Sequence, residues 1–317
     1  MLLPALMLLV ATVQHPAPTG AAPAACTVSP VRPLPVALRA EIVSRDSSLA
    51  DARVAGNVET LMAHFERDSV LMPEHQPRLF GIDRGAVYYR AVMARLPVSA
   101  FTFVPADILP LGSGGLEWGT FKVSFRDGSG GASPALDGKY VHLWRRQADG
   151  RLKLAAEAWG YLAPLENPAS HWFADLPSGN RPAMDQDPQL AAELAALNAA
   201  NASSVQQHDS ARIAQYAEDA VYLPFAEQPQ VGLAAIRSHL LPYIERGRGT
   251  IFERVDVGND GFELVDDYVV EYSRFAVHWR SGPAAGVTSG GGLRLWRRGA
   301  DCALKIVRQI GTHDYRP

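Results

Sequence analysis

Carboxylate, phenol and imidazole side chains recur on two neighbouring predicted strands, and these are groups that can move a proton. In the segment 116–125, alternate positions hold Glu117, a glycine, valine and phenylalanines, so a strand there would carry the carboxylate on its more apolar face. A carboxylate withdrawn from water has a raised pKa and can serve as general acid or base. Tyr140 and His142 share one face of a later strand, where such a pair could orient a carbonyl and shuttle a proton. We therefore predict Glu117, Tyr140 and His142 as the catalytic candidates.

The same residues also allow a structural interpretation. Glu117 stands near the end of its strand, where a carboxylate reaches water or an arginine easily. Trp144 shares the face of Tyr140 and His142, and Trp296 holds the matching place in the second half of the chain. Tryptophan in such places is typical of a half-exposed sheet face that packs against another domain, and this is the interpretation we favour for both tryptophans. For Tyr140 and His142 the sequence leaves the choice open.

A second group of polar and aromatic side chains is predicted to contact a ligand. The group comprises His75, Tyr88, Glu157, Tyr222, Glu271 and Arg294. Glu271 matches Glu117 in the second half of the chain. Glu74 and His75 have the ingredients of acid-base chemistry, but adjacent side chains seldom converge on one point, and a solvated turn also accounts for them.

Composition and motifs exclude several classes of protein. A net charge of −3, with 47% hydrophobic and 20% charged residues, is typical of a globular domain and gives no basic excess for nucleic acid. Walker loops, dinucleotide fingerprints and paired metal-binding histidines are missing from the sequence, so we expect no cofactor. The two cysteines, Cys26 and Cys302, lie far apart without paired histidines nearby and predict no metal site.

The elements that must hold these residues occur twice in the chain. AHFERDSVLMP from Ala63 aligns with AQYAEDAVYLP from Ala214 at an offset of 151 residues. LWRRQADGRLKL from Leu143 aligns with LWRRGADCALKI from Leu295 at an offset of 152. Offsets that drift so little indicate a duplicated domain, and a length of 317 residues also fits two domains.

Within each copy the hydrophobic period changes from that of helices to that of strands. The first copy predicts helices at 36–55, 58–65 and 83–95, a short strand at 70–72, and long strands at 100–111, 116–126, 138–146 and 152–161. Gly56 closes the first helix and Asn57 caps the second. The second copy repeats helices at 189–207, 210–217 and 233–245, with a short strand at 221–223. We expect an α+β fold of two tandem domains, each an antiparallel sheet with its helices on one face.

This order of motifs resembles the SnoaL-like, ketosteroid-isomerase-like group of nuclear transport factor 2-type folds. The resemblance rests on an acidic pair before an apolar strand and proline (Glu218 to Pro224), a glycine followed by a helix, and strands ending in LWRRxADxxLK. It implies two cone-shaped domains, each a curved antiparallel sheet wrapped by its N-terminal helices around an apolar cavity. The group includes isomerases, dehydratases, epoxide hydrolases, polyketide cyclases and non-enzymatic modules. Single-copy members often dimerise through the sheet, which implies an intramolecular pseudo-dimer here.

One departure from the group bears on chemistry. Ketosteroid isomerases carry their general-base aspartate just before the proline that ends the first strand, and this sequence holds Met72 and Leu223 there. Neither side chain can accept a proton, so isomerisation by that route is not expected in either copy.

The amino terminus predicts export. Residues 1–13 form an apolar run, shorter than the roughly 20 residues that span a bilayer, and small residues follow. We predict a cleaved signal peptide over 1–25, a disordered leader over 26–35, domains at 36–165 and 189–315, and a proline-rich linker at 166–188. The location would be the periplasm or the outside of the cell. Lipidation of Cys26 is the alternative, disfavoured because Pro23 stands where lipoprotein signals carry a leucine-like residue.

The leading expectation is an exported tandem protein that binds a small, largely apolar ligand in a domain cavity. One alternative is a lyase, hydrolase or isomerase that uses acid-base chemistry in the first domain. The other is a non-catalytic scaffold or dimerisation module. Glu117 and His142 lining one enclosed cavity would favour the enzyme, and a filled cone or solvent-facing side chains would count against it.

Overall fold

The computed structural model describes residues 31–126, 131–174, 176 and 186–314. The predicted signal peptide, the first half of the leader including Cys26, and part of the 166–188 linker lie outside the described residues. No helix in the described ranges is long and apolar enough to cross a membrane.

The first domain places its helices before its long strands, as predicted. Its elements are α1 (Val36–Ala55), α2 (Val58–Met62), β1 (Phe65–Pro73), β2 (Leu79–Phe80), α3 (Ile82–Arg95), β3 (Val98–Leu111), β4 (Gly114–Phe125), β5 (Leu136–Arg146) and β6 (Leu152–Tyr161). The sheet has the order β2-β1-β6-β5-β4-β3. Strands β3 to β6 form the predicted antiparallel meander, and β1 joins β6 in parallel.

The second domain repeats this arrangement. It comprises α4 (Pro188–Gln206), β7 (Tyr216–Leu223), β8 (Gln230–Val231), α5 (Leu233–Gly247), β9 (Ile251–Val265), β10 (Tyr268–Ser281), β11 (Ala284–Arg298) and β12 (Leu304–Asp314). Its sheet order, β8-β7-β12-β11-β10-β9, matches that of the first domain strand for strand. The predicted α+β fold of two tandem domains is confirmed.

Most element boundaries follow from local sequence. Gly56 ends α1 in the left-handed conformation, with φ 66°, and the side chain of Asn57 accepts a hydrogen bond from Thr60 N at 2.9 Å to cap α2. The predicted helix 58–65 is shorter, because β1 already begins at Phe65 and pairs with β6. In the second copy the predicted helix 210–217 is a 3₁₀ turn, Ala211–Gln215.

Each sheet buries its inner face against its own helices. Trp144 and Trp296 lie in these inner cores, 1% and 0% exposed respectively. The expectation that both tryptophans stand on a half-exposed face for domain packing is therefore wrong. They lie inward because each indole N–H donates to a buried carboxylate of the neighbouring strand.

The outer faces of the two sheets contact each other in one shared apolar cluster. Side chains of both domains contribute to it, among them Met72, Val141, Leu143, Leu223, Val270, Leu293 and Leu295. Polar contacts flank the cluster. Arg145 donates to Glu66 of its own domain and to Glu263 of the other, both at 2.6 Å, and Arg308 pairs with Asp107 at 2.8 Å. Met72 and Leu223, the positions of the isomerase base, thus lie between the sheets.

Candidate functional site

The three predicted catalytic residues meet on the inner face of β4 and β5. The register pairs Glu117 directly with His142. Tyr140 donates its hydroxyl to Glu117 Oε1 at 2.6 Å, and His142 Nδ1 lies 3.7 Å from Glu117 Oε2. All three side chains are completely buried. The alternative of a solvated Glu117 is therefore wrong, because its strand end is covered on both faces.

Four further residues complete this polar network: sequence reasoning missed Asp46, Arg53 and Tyr89, and predicted Glu157 only as a ligand contact. Asp46 on α1 places Oδ1 3.2 Å from His142 Nδ1. Glu157 on β6 lies 3.2 Å from the other ring nitrogen, Nε2, and itself accepts hydrogen bonds from Arg53 and Tyr89. Asp46 and Arg53 share one face of α1 with Ile42 and Leu49. That helical spacing was the available signal, but it could not show which strand the face would meet.

The surrounding charges determine the protonation of the network. Burial lowers the pKa of His142, but hydrogen bonds that its ring donates to three carboxylates outweigh burial and raise the pKa well above its usual value. Burial likewise raises the pKa values of Glu117 and Glu157, yet His142 and, for Glu157, Arg53 outweigh it and hold both at about 2. Asp46 differs, since burial dominates and raises its pKa to about 7. The network therefore contains an imidazolium and one carboxyl that titrates near neutrality.

The second domain has a related but less titratable network. Glu271 accepts the indole N–H of Trp296 at 2.9 Å and the amide of Asn198 at 2.6 Å. Arg294 Nη1 lies 2.7 Å from Asn198 Oδ1 and 3.4 Å from Glu271 Oε2. Asn198 and Arg294 hold the places of Asp46 and His142, so a cationic nitrogen sits between two oxygens in both copies. Gln309 stands opposite Arg294, as Glu157 stands opposite His142.

The donor set of Asp46, Glu117 and His142 is also one that a metal ion could use. One ligand atom of each lies within 4.8 Å of the others, and imidazole with carboxylates suits zinc. In the second domain, however, a guanidinium nitrogen fills the corresponding place, and both oxygens of Glu117 already accept hydrogen bonds from Tyr140 and Trp144. In the first domain we therefore assign the positive charge between these carboxylates to the imidazolium of His142 and not to a metal ion.

A narrow cavity lies between α3 and the inner face of the first sheet. About 50 Å³ of it is open to a water-sized sphere, which is room for a few water molecules. Its wall is formed by Arg53, Glu74, Tyr88, Tyr89, Val92, Met93, Leu96, Val98, Phe101, Phe121, Val123, Phe125, Trp159, Tyr161, His171 and Phe173. The wall is largely aromatic and aliphatic, so it suits an apolar molecule.

The catalytic candidates do not belong to the wall of this cavity. Phe103 packs against the rings of Tyr140 and His142, with centroids 4.8 and 5.1 Å apart. The guanidinium of Arg53 lies 5.1 Å from the Phe103 ring and, with Tyr89, does line the cavity. Glu117, Tyr140 and His142 thus stand behind the cavity rather than in it, and their catalytic role stays a prediction.

Glu74 is the carboxylate that does line the cavity. It is 1% exposed, and its Oε2 accepts the backbone N–H of Tyr161 at 3.1 Å. Its Oε1 is buried without a hydrogen-bond partner. His75 Nε2 lies 3.4 Å from it, without hydrogen-bond geometry. Burial raises the pKa of Glu74 to about 7. The alternative of a solvated turn is wrong here, because the second domain and the end of β6 enclose these residues.

A buried lysine accompanies Glu74. Lys139 on β5 is completely buried and donates to the carbonyl oxygen of Tyr161 at 2.5 Å. Burial lowers its pKa to about 8, and the charge of Glu74 opposes that shift. Glu74 and Lys139 therefore bind the backbone N–H and the backbone carbonyl oxygen, respectively, of the same residue of β6, Tyr161.

The six predicted ligand-binding residues do not form one site. Tyr88 lines the cavity, and Glu157 lies behind it, bonded to Arg53. His75 lies between the domains, where its backbone N–H donates to His313 O at 2.8 Å. The other three belong to the second domain: Glu271 and Arg294 bind each other, and the Tyr222 ring packs near His239.

No protein-family model and no curated protein matches the chain. Among solved structures, a ketosteroid isomerase-like protein from Erwinia carotovora atroseptica is 17% identical, with 39% of this chain and 96% of that chain covered and a TM-score of 0.35. ActVI-ORFA from Streptomyces coelicolor is 19% identical over 40% and 98%, with a TM-score of 0.35. A Catenulispora acidiphila protein in complex with S-DNPA is 18% identical over 40% and 95%, with a TM-score of 0.34. Each covers about 40% of this chain, and at this identity the likeness concerns the fold alone.

Proposed function

We propose that the first domain binds a small, largely apolar molecule in the cavity between α3 and the sheet. The observation that carries this proposal is an aromatic wall that contains buried polar atoms without hydrogen-bond partners, Glu74 Oε1 and Arg53 Nε. Buried polar groups are normally satisfied in proteins, and a bound molecule can supply the missing partner. The cavity of about 50 Å³ is smaller than the about 150 Å³ that holds benzene in an engineered protein, so one-ring molecules are the largest appropriate first probes, and their binding requires side chains of the wall to move apart.

The proposal assigns binding to the first domain because the second has replaced the polar residues of the wall. Phe225 and Val205 stand in the second copy at the places of Glu74 and Arg53. We further propose that the second domain serves as the partner of an intramolecular pseudo-dimer. The apolar cluster shared by the two sheets supports this role.

An acid-base enzyme is the second candidate function. It is supported by the 3.7 Å separation of His142 Nδ1 and Glu117 Oε2 in a buried network with displaced pKa values. For this function Phe103 or Arg53 would have to move, so that a substrate in the cavity could reach Tyr140 or Glu117. We also propose export, supported by the apolar run and small residues at the amino terminus; amino-terminal sequencing of the protein recovered from its host tests it.

A substitution that fills the cavity tests the ligand proposal. Val123 lines the cavity and is 4% exposed, and Val277 is its counterpart on β10, at an offset of 154. We expect p-xylene and p-cresol to raise the melting temperature of the wild-type protein and of Val277→Trp. We expect neither probe to stabilise Val123→Trp, because the indole occupies their space. Native mass spectrometry of the purified wild-type protein would identify a retained ligand. Equal stabilisation of both variants, or none of the wild type, contradicts the proposal.

A further inference from the structure

We propose that Glu74 is the recognition residue of the cavity and that it selects small apolar molecules carrying one hydrogen-bond donor, a hydroxyl or an amino group. The inference rests on the proposed function, because it assumes that the cavity binds a ligand. It adds the chemical class of that ligand and the atom that recognises it.

The first argument is the unequal state of the two oxygens of Glu74. Oε2 is held by the backbone N–H of Tyr161 at 3.1 Å, which fixes the carboxyl group against β6. Oε1 has no hydrogen-bond partner although it is buried. Above its pKa of about 7 Glu74 is ionised, and an ionised carboxylate only accepts hydrogen bonds, so the group that completes Oε1 at such a pH must be a donor. A ligand carboxylate would be repelled by the like charge.

The second argument is that the chain makes room for this carboxylate. A Cβ atom on Gly160 would lie 1.9 Å from Glu74 Oε2, so any other residue at position 160 would displace the carboxyl group. Glycine weakens a strand interior and often marks a close approach. Gly160 therefore has a specific role, which is to admit Glu74 beside the strand.

The third argument comes from the second copy of the domain. Lys139 pairs with Gly160 across β5 and β6, and Gly291 pairs with Thr312 at the same places in β11 and β12. With Phe225 in place of Glu74, the second copy has replaced the acid, the lysine and the glycine together. The second copy therefore lacks all three residues that form and admit this carboxylate, which agrees with recognition in the first domain alone. The buried lysine supports this carboxylate, since its positive charge favours the ionised form of Glu74.

The geometry defines the ligand further. Its donor must approach Glu74, which is hydrogen-bonded to Tyr161 and Trp159, while its body lies among the apolar residues of the wall, such as Phe121 and Val123. A single ring with one hydroxyl or amino substituent meets both conditions. Its apolar counterpart of the same shape would fill the cavity but leave Oε1 unsatisfied.

Two probes of nearly the same shape test the inference on the full chain. In p-cresol a hydroxyl replaces one methyl group of p-xylene. We expect calorimetry on the wild-type protein to give about tenfold tighter binding of p-cresol, the ratio of one charge-assisted hydrogen bond. In Glu74→Leu the preference should vanish while p-xylene still binds. Glu245→Leu, which removes an exposed carboxylate from α5 of the second domain, is the control and should keep the preference.

The outcomes separate this inference from the function on which it rests. If the wild type binds neither probe, the ligand proposal fails and this inference falls with it. If the wild type binds both probes equally, or Glu74→Leu keeps the preference, only the inference is overturned. Should Glu74→Leu fail to fold, Glu74→Gln retains an acceptor for Tyr161 N–H. The weaker neutral amide should reduce the preference severalfold, and an unchanged preference would overturn the inference.

Discussion

His142 is positively charged inside the first domain because three carboxylates surround its ring. Asp46 and Glu157 each lie 3.2 Å from one ring nitrogen, and Glu157 also neutralises the buried guanidinium of Arg53. Two buried cations therefore share one carboxylate. Removing one partner of a buried ion pair is strongly destabilising, because the remaining charge stays buried and unpaired.

We expect Glu157→Gln to lower the free energy of unfolding by about 3–5 kcal/mol, because both cations lose a charged partner. The control is Glu193→Gln, which removes a carboxylate from a surface pair with Arg298, whose side chains are 30% and 46% exposed. Such pairs contribute about 0–1 kcal/mol. Urea denaturation of both variants measures the difference. Similar losses in the two variants would show that Glu157 stabilises the fold no more than a surface charge does.

The sequence could predict part of this network and not the rest. Alternation along strands placed Glu117, Tyr140 and His142 on one face, and the register brought them together. Asp46 and Arg53 come from a helix about 100 residues away in sequence, and no local pattern states which strand such a helix will cover. The burial of Lys139 was also beyond prediction, because alternation turns it to the outer face, which only the second domain covers.

Among the elements, the end of β1 and the end of β6 position the proposed recognition residue. These strands run parallel, with Met72 beside Ala158 and Pro73 beside Trp159. The N–H of Glu74 continues the ladder to Trp159 O at 2.9 Å, which sets its side chain against Gly160. The sequence predicted both strands, but for β1 it predicted only residues 70–72. The rest of β1 pairs with the distant strand β6 and leaves no local signal in the sequence.

A glycine-to-alanine pair tests this packing of elements. In Gly160→Ala the new methyl group would overlap the carboxylate of Glu74, and overpacking of this kind costs about 1–3 kcal/mol. Gly311, on the corresponding strand β12, has no atom within 4 Å of an added Cβ. Gly311→Ala should therefore change stability by no more than about 0.5 kcal/mol. Thermal unfolding compares the two variants, and equal effects would mean that Gly160 is not needed for close approach.

Across the whole molecule, three histidines gather where the domains meet. The His313 ring stacks on Phe225, with centroids 4.1 Å apart, and His75 lies beside both Phe225 and His171. Burial lowers the pKa of each of His75, His171 and His313 to about 4. Lys139, Glu74 and Arg95 are charged neighbours of these histidines. The duplication was predictable from the repeat, but this outer-face contact between the copies was not.

The junction makes stability depend on pH. An unfolded histidine takes up a proton near pH 6.5, whereas these three remain neutral in the folded protein down to about pH 4. Each therefore lowers stability as the pH falls through this window, by up to about 1.4 kcal/mol per pH unit. Asp46 and Glu74, with pKa values raised to about 7, act in the opposite direction. The test must therefore compare a variant with the wild type.

We expect His313→Asn to reduce the pH dependence between about pH 4 and 6.5. The variant has no proton to take up at this position, so its stability should fall less steeply than that of the wild type, by up to about 1.4 kcal/mol per pH unit. Urea denaturation at several pH values gives the two slopes. Parallel curves would mean that His313 is protonated alike in the folded and unfolded chains.

Because both faces of the apolar cluster belong to one chain, their pairing does not depend on protein concentration. Two separate subunits pairing through such faces would dissociate on dilution, in accordance with mass action. Here the second face is tethered to the first by the segment between Tyr161 and Pro188, and a short tether gives an effective concentration in the millimolar range. Pairing of the two faces is then an intramolecular equilibrium. The fold that holds the cavity is therefore as stable at a low protein concentration as at a high one.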